Sequence, residues 1–190
     1  MQERAPDTVL AGGINFTGEH FDFQHSARKG DGRFRFRWTL QPGKKGPPEH
    51  IHPGEDESFA VLSGELHVWV DGVKHALQAG DVLTVARGVR HRFLSAGAVP
   101  AVVDVALTGD AMERNLVPTI LALGAGKFGV KAVLRMIVND GLISASVPVS
   151  PAGQAIGKGL VRLLVFLGVK PFEHDPTWDD RFGTATRLRR

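Results

Sequence analysis

Residues 46–57 read GPPEHIHPGEDE, a stretch in which turn-forming residues surround two closely spaced histidines and several carboxylates. On an extended chain, residues i and i+2 point to the same face, so His50 and His52 would present two imidazoles side by side. A Pro-Gly pair then predicts a turn, after which Glu57 begins a new apolar run. Imidazoles and carboxylates brought together in this way are typical ligands of divalent transition metals.

A third imidazole stands at the start of a later apolar run. His91 follows a Gly-Val-Arg segment and alternates in phase with Phe93. If the faces that carry His91 and Glu57 point inward, three imidazoles and one carboxylate meet among aromatic side chains, which predicts a metal site. His50 and His52 taken alone would more often be surface histidines, so the prediction depends on the whole set.

The surrounding sequence, residues 14–108, is typical of β-structure. The run RFRFRWTL at 33–40 alternates polar and apolar residues, the pattern of a strand with one buried face. Asp-Gly at 71–72 lies between two apolar runs and predicts a hairpin. Other short strands, separated by glycine-containing turns, are predicted at 57–62, 65–70, 73–77, 82–85, 89–95 and 100–107. Many short antiparallel strands at this spacing predict a sandwich or barrel, so the fold class is mainly β.

After Gly109 the apolar spacing changes from that of strands to that of helices. One helix is predicted over residues 111–123, with a kink or a restart at Pro118. A second helix is predicted from the apolar spacing between Val130 and Ile137.

The last predicted helix begins with clear end signals. Ser150 is the expected N-cap, Pro151 is the expected first helical residue, and the helix should end near Leu167. Its apolar stripe needs a protein partner. That stripe consists of Ala152, Ile156, Leu160, Leu163, Leu164 and Leu167. We therefore expect a β-barrel domain over residues 1–110 and a helical C-terminal extension over residues 111–190, packed on the barrel or on a dimer partner.

The composition excludes several kinds of chemistry. The 190 residues include no Cys and no Tyr, so disulfides, thiolate metal sites, a cysteine nucleophile and a phenolic acid are excluded. Ligand and acid–base chemistry must come from the eight histidines and the carboxylates. The sequence has neither a signal-like N-terminal segment nor an apolar run of about 18 residues, so we expect a soluble, cytoplasmic protein.

The net charge of +3 is unevenly distributed. Residues 111–190 carry 11 basic and 6 acidic side chains, and the chain ends RLRR at 187–190. Such an end can contact nucleic acid or an anionic surface, but it is also ordinary for a solvated terminus. We adopt the second interpretation and expect neither nucleic acid nor a membrane as a partner.

The spacing of the candidate ligands resembles the two sequence motifs of the cupin superfamily. The first motif reads G-x5-H-x-H-x3,4-E-x6-G. The sequence matches it from His50 and His52 through Glu57 to Gly64, while its leading glycine falls on Lys44. This departure affects the preceding turn and removes no candidate ligand.

The second cupin motif reads G-x5-P-x-G-x2-H-x3-N. Gly80, Gly88 and His91 fall at the motif's spacing. Ala86 stands in the place of the proline and Ser95 in the place of the asparagine. These two departures affect the turn geometry, and the candidate ligand His91 is kept.

The resemblance covers residues 32–108, roughly 40% of the chain. It implies a single-domain, small-barrel cupin, a double-stranded β-helix or jelly-roll barrel, with His50, His52, Glu57 and His91 as metal ligands. Four such ligands complete a tetrahedral Zn²⁺ shell, whereas an octahedral ion keeps two positions open. We therefore expect one divalent transition metal, either Fe, Mn, Ni or Co, with Zn as the remaining option.

Cupins include dioxygenases such as those acting on quercetin, isomerases, decarboxylases and non-catalytic binding proteins, and a fold alone does not choose among them. The single barrel with its HxHxxxxE spacing looks most like the dioxygenase-type branch. It implies an oxidoreductase acting on a small chelating organic molecule. Glu57 is the candidate catalytic residue, because its carboxylate can exchange a metal bond for a proton and so act as a base. A non-catalytic small-molecule-binding or sensor cupin and a cupin isomerase remain as alternatives. The resemblance also implies a homodimer.

Four aromatic residues are candidates for the wall of a substrate pocket, although packing inside the barrel is the commoner role for such side chains. These candidates are Phe36, Trp38, Phe59 and Phe93. The remaining histidines lie outside the motifs and are expected near the surface. They are His20, His25, His67, His75 and His174.

Overall fold

The computed structural model describes residues 11–14, 19–124, 130, 134–135, 137–138, 147–148 and 150–170. The strands are β1 (Ala11–Ile14), β2 (His20–His25), β3 (Arg33–Leu40), β4 (His50–Ile51), β5 (Glu57–Ser63), β6 (Glu65–Val70), β7 (Val73–Gln78), β8 (Val82–Val85), β9 (His91–Ser95), β10 (Ala101–Thr108) and β11 (Val147–Pro148). The helices are a short 3₁₀ helix (Ala27–Lys29), α1 (Ala111–Gly124) and α2 (Pro151–Phe166).

The strands form two antiparallel sheets whose inward side chains share one core. The six-stranded sheet has the order β1-β2-β3-β10-β5-β8, and the five-stranded sheet has the order β11-β4-β9-β6-β7. Strands far apart in sequence pair directly, as β3 does with β10. Crossovers of this kind between two sheets are typical of a jelly roll. The expected mainly β, double-stranded β-helix fold with a C-terminal helix is confirmed.

β3 follows the alternation that its sequence predicts. Phe34, Phe36, Trp38 and Leu40 are buried, and the residues between them are half-buried on the outer face. Its partner β10 buries Ala101, Val103, Val105 and Leu107 in the same way. The apolar faces of both strands therefore build one side of the core, next to the candidate metal ligands.

Two turns depend on backbone conformations that favour glycine. Asp71 and Gly72 both have positive φ, 47° and 83°, as the predicted two-residue hairpin between β6 and β7 requires. Gly64, between β5 and β6, has φ of 76°, and a Cβ atom there would lie 2.5 Å from the carbonyl oxygen of Pro100. A side chain at Gly64 would thus be excluded by both conformation and space.

α1 is anchored to the barrel by two buried carboxylates. Glu55 accepts hydrogen bonds from the backbone N–H groups of Ala111 (2.8 Å) and Met112 (3.2 Å), which are first-turn donors without partners inside the helix. Glu113 of α1 accepts hydrogen bonds from the 3₁₀ segment, at Ser26 Oγ and at the N–H of Ala27. The helix continues through Pro118, so the restart considered from the sequence does not occur.

α2 begins as predicted, with Ser150 Oγ accepting a hydrogen bond from the Gly153 N–H at 2.9 Å. Of its apolar stripe Leu164 is buried, whereas Ile156 and Leu163 are exposed.

The strand β11, which belongs to the expected C-terminal extension, pairs with β4. None of the helices in the described parts of the chain is long and apolar enough to span a membrane.

Two sequence predictions lie wholly or partly outside the described residues. The helix expected between Val130 and Ile137 is described only at some positions, and the basic end at 187–190 is not described.

Candidate metal centre

The four candidate ligands come together at one end of the barrel. His50 of β4 lies directly opposite His91 of β9 in the antiparallel pair, and His52 follows His50 by two residues. Glu57 begins β5 of the other sheet. One nitrogen or oxygen atom from each of the four buried side chains lies within 4.8 Å of the others. This group could therefore hold a metal ion.

Glu57 contacts two of the three histidines. Its Oε2 atom lies 2.8 Å from Nε2 of His91 and 3.2 Å from Nε2 of His52. With bonds of about 2.0–2.2 Å to a metal, adjacent nitrogen and oxygen ligands lie roughly 3 Å apart. The observed spacing is therefore compatible with a shared coordination shell.

Backbone carbonyls orient two of the imidazoles. Nδ1 of His50 lies 2.8 Å from the carbonyl oxygen of Pro48, and Nδ1 of His91 lies 3.0 Å from that of Val89. A carbonyl can only accept a hydrogen bond, so Nδ1 must carry the proton in each ring. In the neutral ring Nε2 then carries the lone pair, the arrangement that metal-binding histidines usually show.

The environment favours protonation states that suit a metal. Burial, with a smaller contribution from neighbouring His91, lowers the pKa of His50 from 6.5 to about 4. Burial alone would raise the pKa of the Glu57 carboxyl, but the adjacent His52 and His91 rings outweigh it and leave the pKa below its ordinary value. Neutral imidazole and ionised carboxylate are the forms that bind metals.

Metal-free protein should lose stability as the pH falls from 6.5 towards 4. Over this interval the unfolded chain protonates His50 while the folded protein does not, so acid favours unfolding. The free energy of unfolding should fall by about 3 kcal/mol between pH 6.5 and pH 4. Urea unfolding of metal-free protein at a series of pH values measures it. His50→Gln should weaken the pH dependence, and equal slopes in wild type and variant would contradict this assignment.

The candidate metal-binding group, His50, His52, Glu57 and His91, adjoins a cavity of about 330 Å³. His50, His52 and Glu57 contribute to its wall, whereas His91 is not among the lining residues and is 1% exposed. The other lining residues are Glu19, Phe21, Phe36, Trp38, Lys45, Gly46, Pro47, Phe93, Met112, Leu116 and Ile120. The wall is therefore predominantly apolar and aromatic.

Three of the four expected pocket aromatics line this cavity, namely Phe36, Trp38 and Phe93. Phe59 is the exception and requires a correction. It is fully buried, with its ring centroid 5.1 Å from that of Phe93 and 6.4 Å from that of His91. Phe59 thus packs against a wall residue and a candidate ligand instead of facing the cavity.

Sequence reasoning missed the part of the wall that α1 supplies. Met112, Leu116 and Ile120 recur at intervals of four residues, so they lie on one face of that helix. This stripe was a detectable signal, but its partner could not be known from the sequence. Glu19 and Phe21, beside and within β2, carried no signal that tied them to the site.

None of the other described histidines belongs to the metal-binding group. Three of them lie close to acidic side chains instead: His20 to Asp22, His25 to Asp31 and His67 to Glu65. His174 is outside the described residues.

Part of the chain is similar in sequence to known proteins. Residues 36–107 match the family model described as "Cupin domain". "Oxidoreductase iacF" from Pestalotiopsis fici is 37% identical over 86 residues, which are 41% of this chain and 42% of that protein. "Tetracenomycin polyketide synthase protein TcmJ" from Streptomyces glaucescens is 41% identical over 62 residues, which are 33% of this chain and 41% of that protein. The chain thus spans less than half the length of either relative.

The solved structure of KdgF from Halomonas sp. is also similar, with a TM-score of 0.45 and 17% identity over 52% of this chain and 86% of that one. The family match contains His50, His52, Glu57 and His91. Residues 36–107 therefore form a cupin domain.

Proposed function

We propose that this protein is a metal-dependent oxidoreductase of the dioxygenase type, acting on a small chelating organic molecule with vicinal oxygen atoms. The observation that carries the proposal is the position of the three-histidine, one-carboxylate group at the wall of an aromatic cavity of about 330 Å³. A cavity of this volume lies at the small end of ligand pockets, which span about 300–1,000 Å³. It suits a compact ligand.

His50, His52, Glu57 and His91 would hold the metal ion. The donor set of three nitrogens and one oxygen suits Fe²⁺, Mn²⁺, Ni²⁺ or Co²⁺, and also Zn²⁺. When bound, such an ion would supply Lewis acidity towards the ligand oxygens and, if redox-active, reactivity towards O₂.

The remaining wall would bind and orient the substrate. Phe21, Phe36, Trp38 and Phe93 present aromatic surface on the barrel side, which favours a flat ligand. From the other side α1 contributes aliphatic side chains and a methionine. Together they would exclude water from the ligand, which strengthens electrostatic interactions at the reacting end.

Glu57 is the proposed catalytic residue because it combines a candidate ligand with a proton acceptor. Its lowered pKa keeps the carboxylate ionised, which suits its role as a ligand. A chelating enol or phenol must lose its O–H proton, and a carboxylate beside it can accept that proton. The accepting atom would be Oε2, which already lies within hydrogen-bond reach of His52 and His91.

The name of one relative, "Oxidoreductase iacF", supports the oxidoreductase class. Another relative is named a polyketide synthase protein. Polyketides are rich in enolisable carbonyl groups and phenols, so this name is compatible with a chelating substrate here.

Oxygen consumption tests the proposal. Protein purified from its natural host is first analysed for metals, then reconstituted with the metal found and supplied with a panel of enols, catechols and flavonols. We expect O₂ uptake that depends on both the metal and one class of chelating substrate. Iron, nickel or manganese in the purified protein would favour oxygen chemistry, whereas zinc alone would count against it.

The second candidate function is a non-catalytic binding or sensor cupin. The observation that favours it is α1, whose Met112, Leu116 and Ile120 form part of the cavity wall and would cover a bound molecule. Tight binding of a chelating ligand without any oxygen consumption by metal-replete protein would establish this function in place of the first.

A further inference from the structure

One buried polar donor in the cavity wall has no role in the proposed metal chemistry. Trp38 lines the cavity and is 8% exposed. Its Nε1–H has no hydrogen-bond partner among the residues that the structure describes. Leaving a buried N–H unpaired costs free energy, so buried polar groups in native proteins are nearly always paired. Because Trp38 belongs to the cavity lining, its unpaired donor suggests an acceptor on the ligand.

We propose that Trp38 determines ligand specificity, with its Nε1–H donating a hydrogen bond to a neutral oxygen, such as a ketone carbonyl, on a flat aromatic ligand. The inference rests on the proposed function for the chelating end of that ligand. An indole N–H can only donate, so the ligand atom opposite it must be an acceptor. Among chelating molecules of the same size, this requirement favours those that carry such an acceptor.

The surroundings of Trp38 argue for an uncharged acceptor on an aromatic molecule. The Trp38 ring stacks on Phe21 at 4.8 Å between centroids and meets Phe93 edge-on at 5.2 Å. Phe36 is a further aromatic neighbour, at 6.3 Å. A charged ligand group would lose its hydration among these rings, whereas a carbonyl needs a single hydrogen bond to compensate for burial. Offset and edge-on contacts would favour a flat aromatic ring system.

Strand register separates Trp38 from the metal-binding end. On β10, Leu107 lies opposite Glu57, whereas Val103 lies opposite Trp38. The four residues from Val103 to Leu107 correspond to roughly 13 Å of strand. The acceptor therefore belongs at the end of the ligand remote from its chelating oxygens. A ligand with only the vicinal oxygens would leave the indole N–H unpaired.

Two matched probes test the inference by binding. The first is a naphthalenediol with adjacent hydroxyl groups on one ring and an acetyl group on the other. The second replaces the acetyl C=O with C=CH₂, which keeps the shape and removes the acceptor. Calorimetric titration into Mn²⁺-loaded protein under argon measures affinity without turnover. We expect the acetyl probe to bind about fivefold more tightly, the effect of one typical hydrogen bond.

Trp38→Phe keeps an aromatic ring and removes the N–H. In this variant the fivefold preference should disappear through weaker binding of the acetyl probe, while the affinity for the other probe stays nearly constant. The matched control is Trp69→Phe. Trp69 does not line the cavity and lies under the Arg92 guanidinium at 3.8 Å, so this variant should keep the preference.

A second measurement does not need the Trp38 variant to fold. In wild-type protein, the indole N–H resonance of Trp38 should move downfield on addition of the acetyl probe and not of its analogue. Trp69→Phe and Trp178→Phe identify the other two indole signals by their loss.

Equal affinities of wild type for the two probes, or a preference that survives Trp38→Phe, would overturn the role of Trp38. Failure of both probes to bind would overturn the ligand class. These results are independent of oxygen consumption. A protein that prefers the acetyl probe but consumes no O₂ keeps the role of Trp38 and loses the oxidoreductase function.

Discussion

Glu57→Gln should lower turnover at least about 100-fold while leaving much of the bound metal in place. General acid–base groups contribute about 10²- to 10⁴-fold to rate, and an amide cannot accept the substrate proton. The three histidines remain as ligands, and the glutamine side chain has nearly the same shape. Turnover and metal content, measured on the same preparation of the reconstituted variant, separate the two roles of this residue.

Asp56→Asn is the matched control for Glu57→Gln. Asp56 is the neighbouring carboxylate, but it is paired with the guanidinium of Arg87 at 3.0 Å and does not line the cavity. Its replacement should leave both turnover and metal content nearly unchanged. If Glu57→Gln loses turnover only in proportion to metal, Glu57 acts as a ligand alone and its role as a base is wrong.

His91→Ala should remove most of the metal. Loss of a group that merely orients a ligand costs about 10- to 100-fold in metal affinity, so loss of the ligand itself should cost more than about 100-fold. The variant also removes the contact of 2.8 Å between Nε2 of His91 and Oε2 of Glu57. Purified protein should carry close to one equivalent of divalent metal and the variant only a small fraction of it. Elemental analysis measures both.

His50→Ala and His52→Ala should lose metal to a similar extent, and with it turnover. His67→Ala is the control, because His67 contacts Glu65 and lies outside the metal-binding group. Circular dichroism of each variant verifies that it still folds. Wild-type protein that takes up no metal even after reconstitution would refute the site altogether.

Much of the barrel could be predicted because local patterns encode it. The alternation over 33–40 is the consequence of one face buried and one exposed, and β3 has this pattern residue by residue. The Asp-Gly pair at 71–72 adopts the positive φ values that such a hairpin needs. In both cases the pattern lies within a few consecutive residues, so the sequence is sufficient to predict the strand and the hairpin.

The candidate ligands could be selected by their spacing, since His50, His52, Glu57 and His91 follow the spacing of two cupin motifs. Spacing does not say which of these side chains face open space. His91 proved to be fully enclosed, and Phe59 packs against it instead of lining the cavity. Both outcomes depend on how the two sheets approach each other.

The residues that close the cavity depend still more on tertiary structure. The stripe of α1 was visible in the sequence, but its position follows from contacts of Glu55 with Ala111 and of Glu113 with Ser26, across 56 and 87 residues of chain. Alternation and motif spacing record what each residue needs from its immediate neighbours. The cavity arises where distant segments meet, and burial, hydrogen-bond pairing and pKa at that place depend on all of them together.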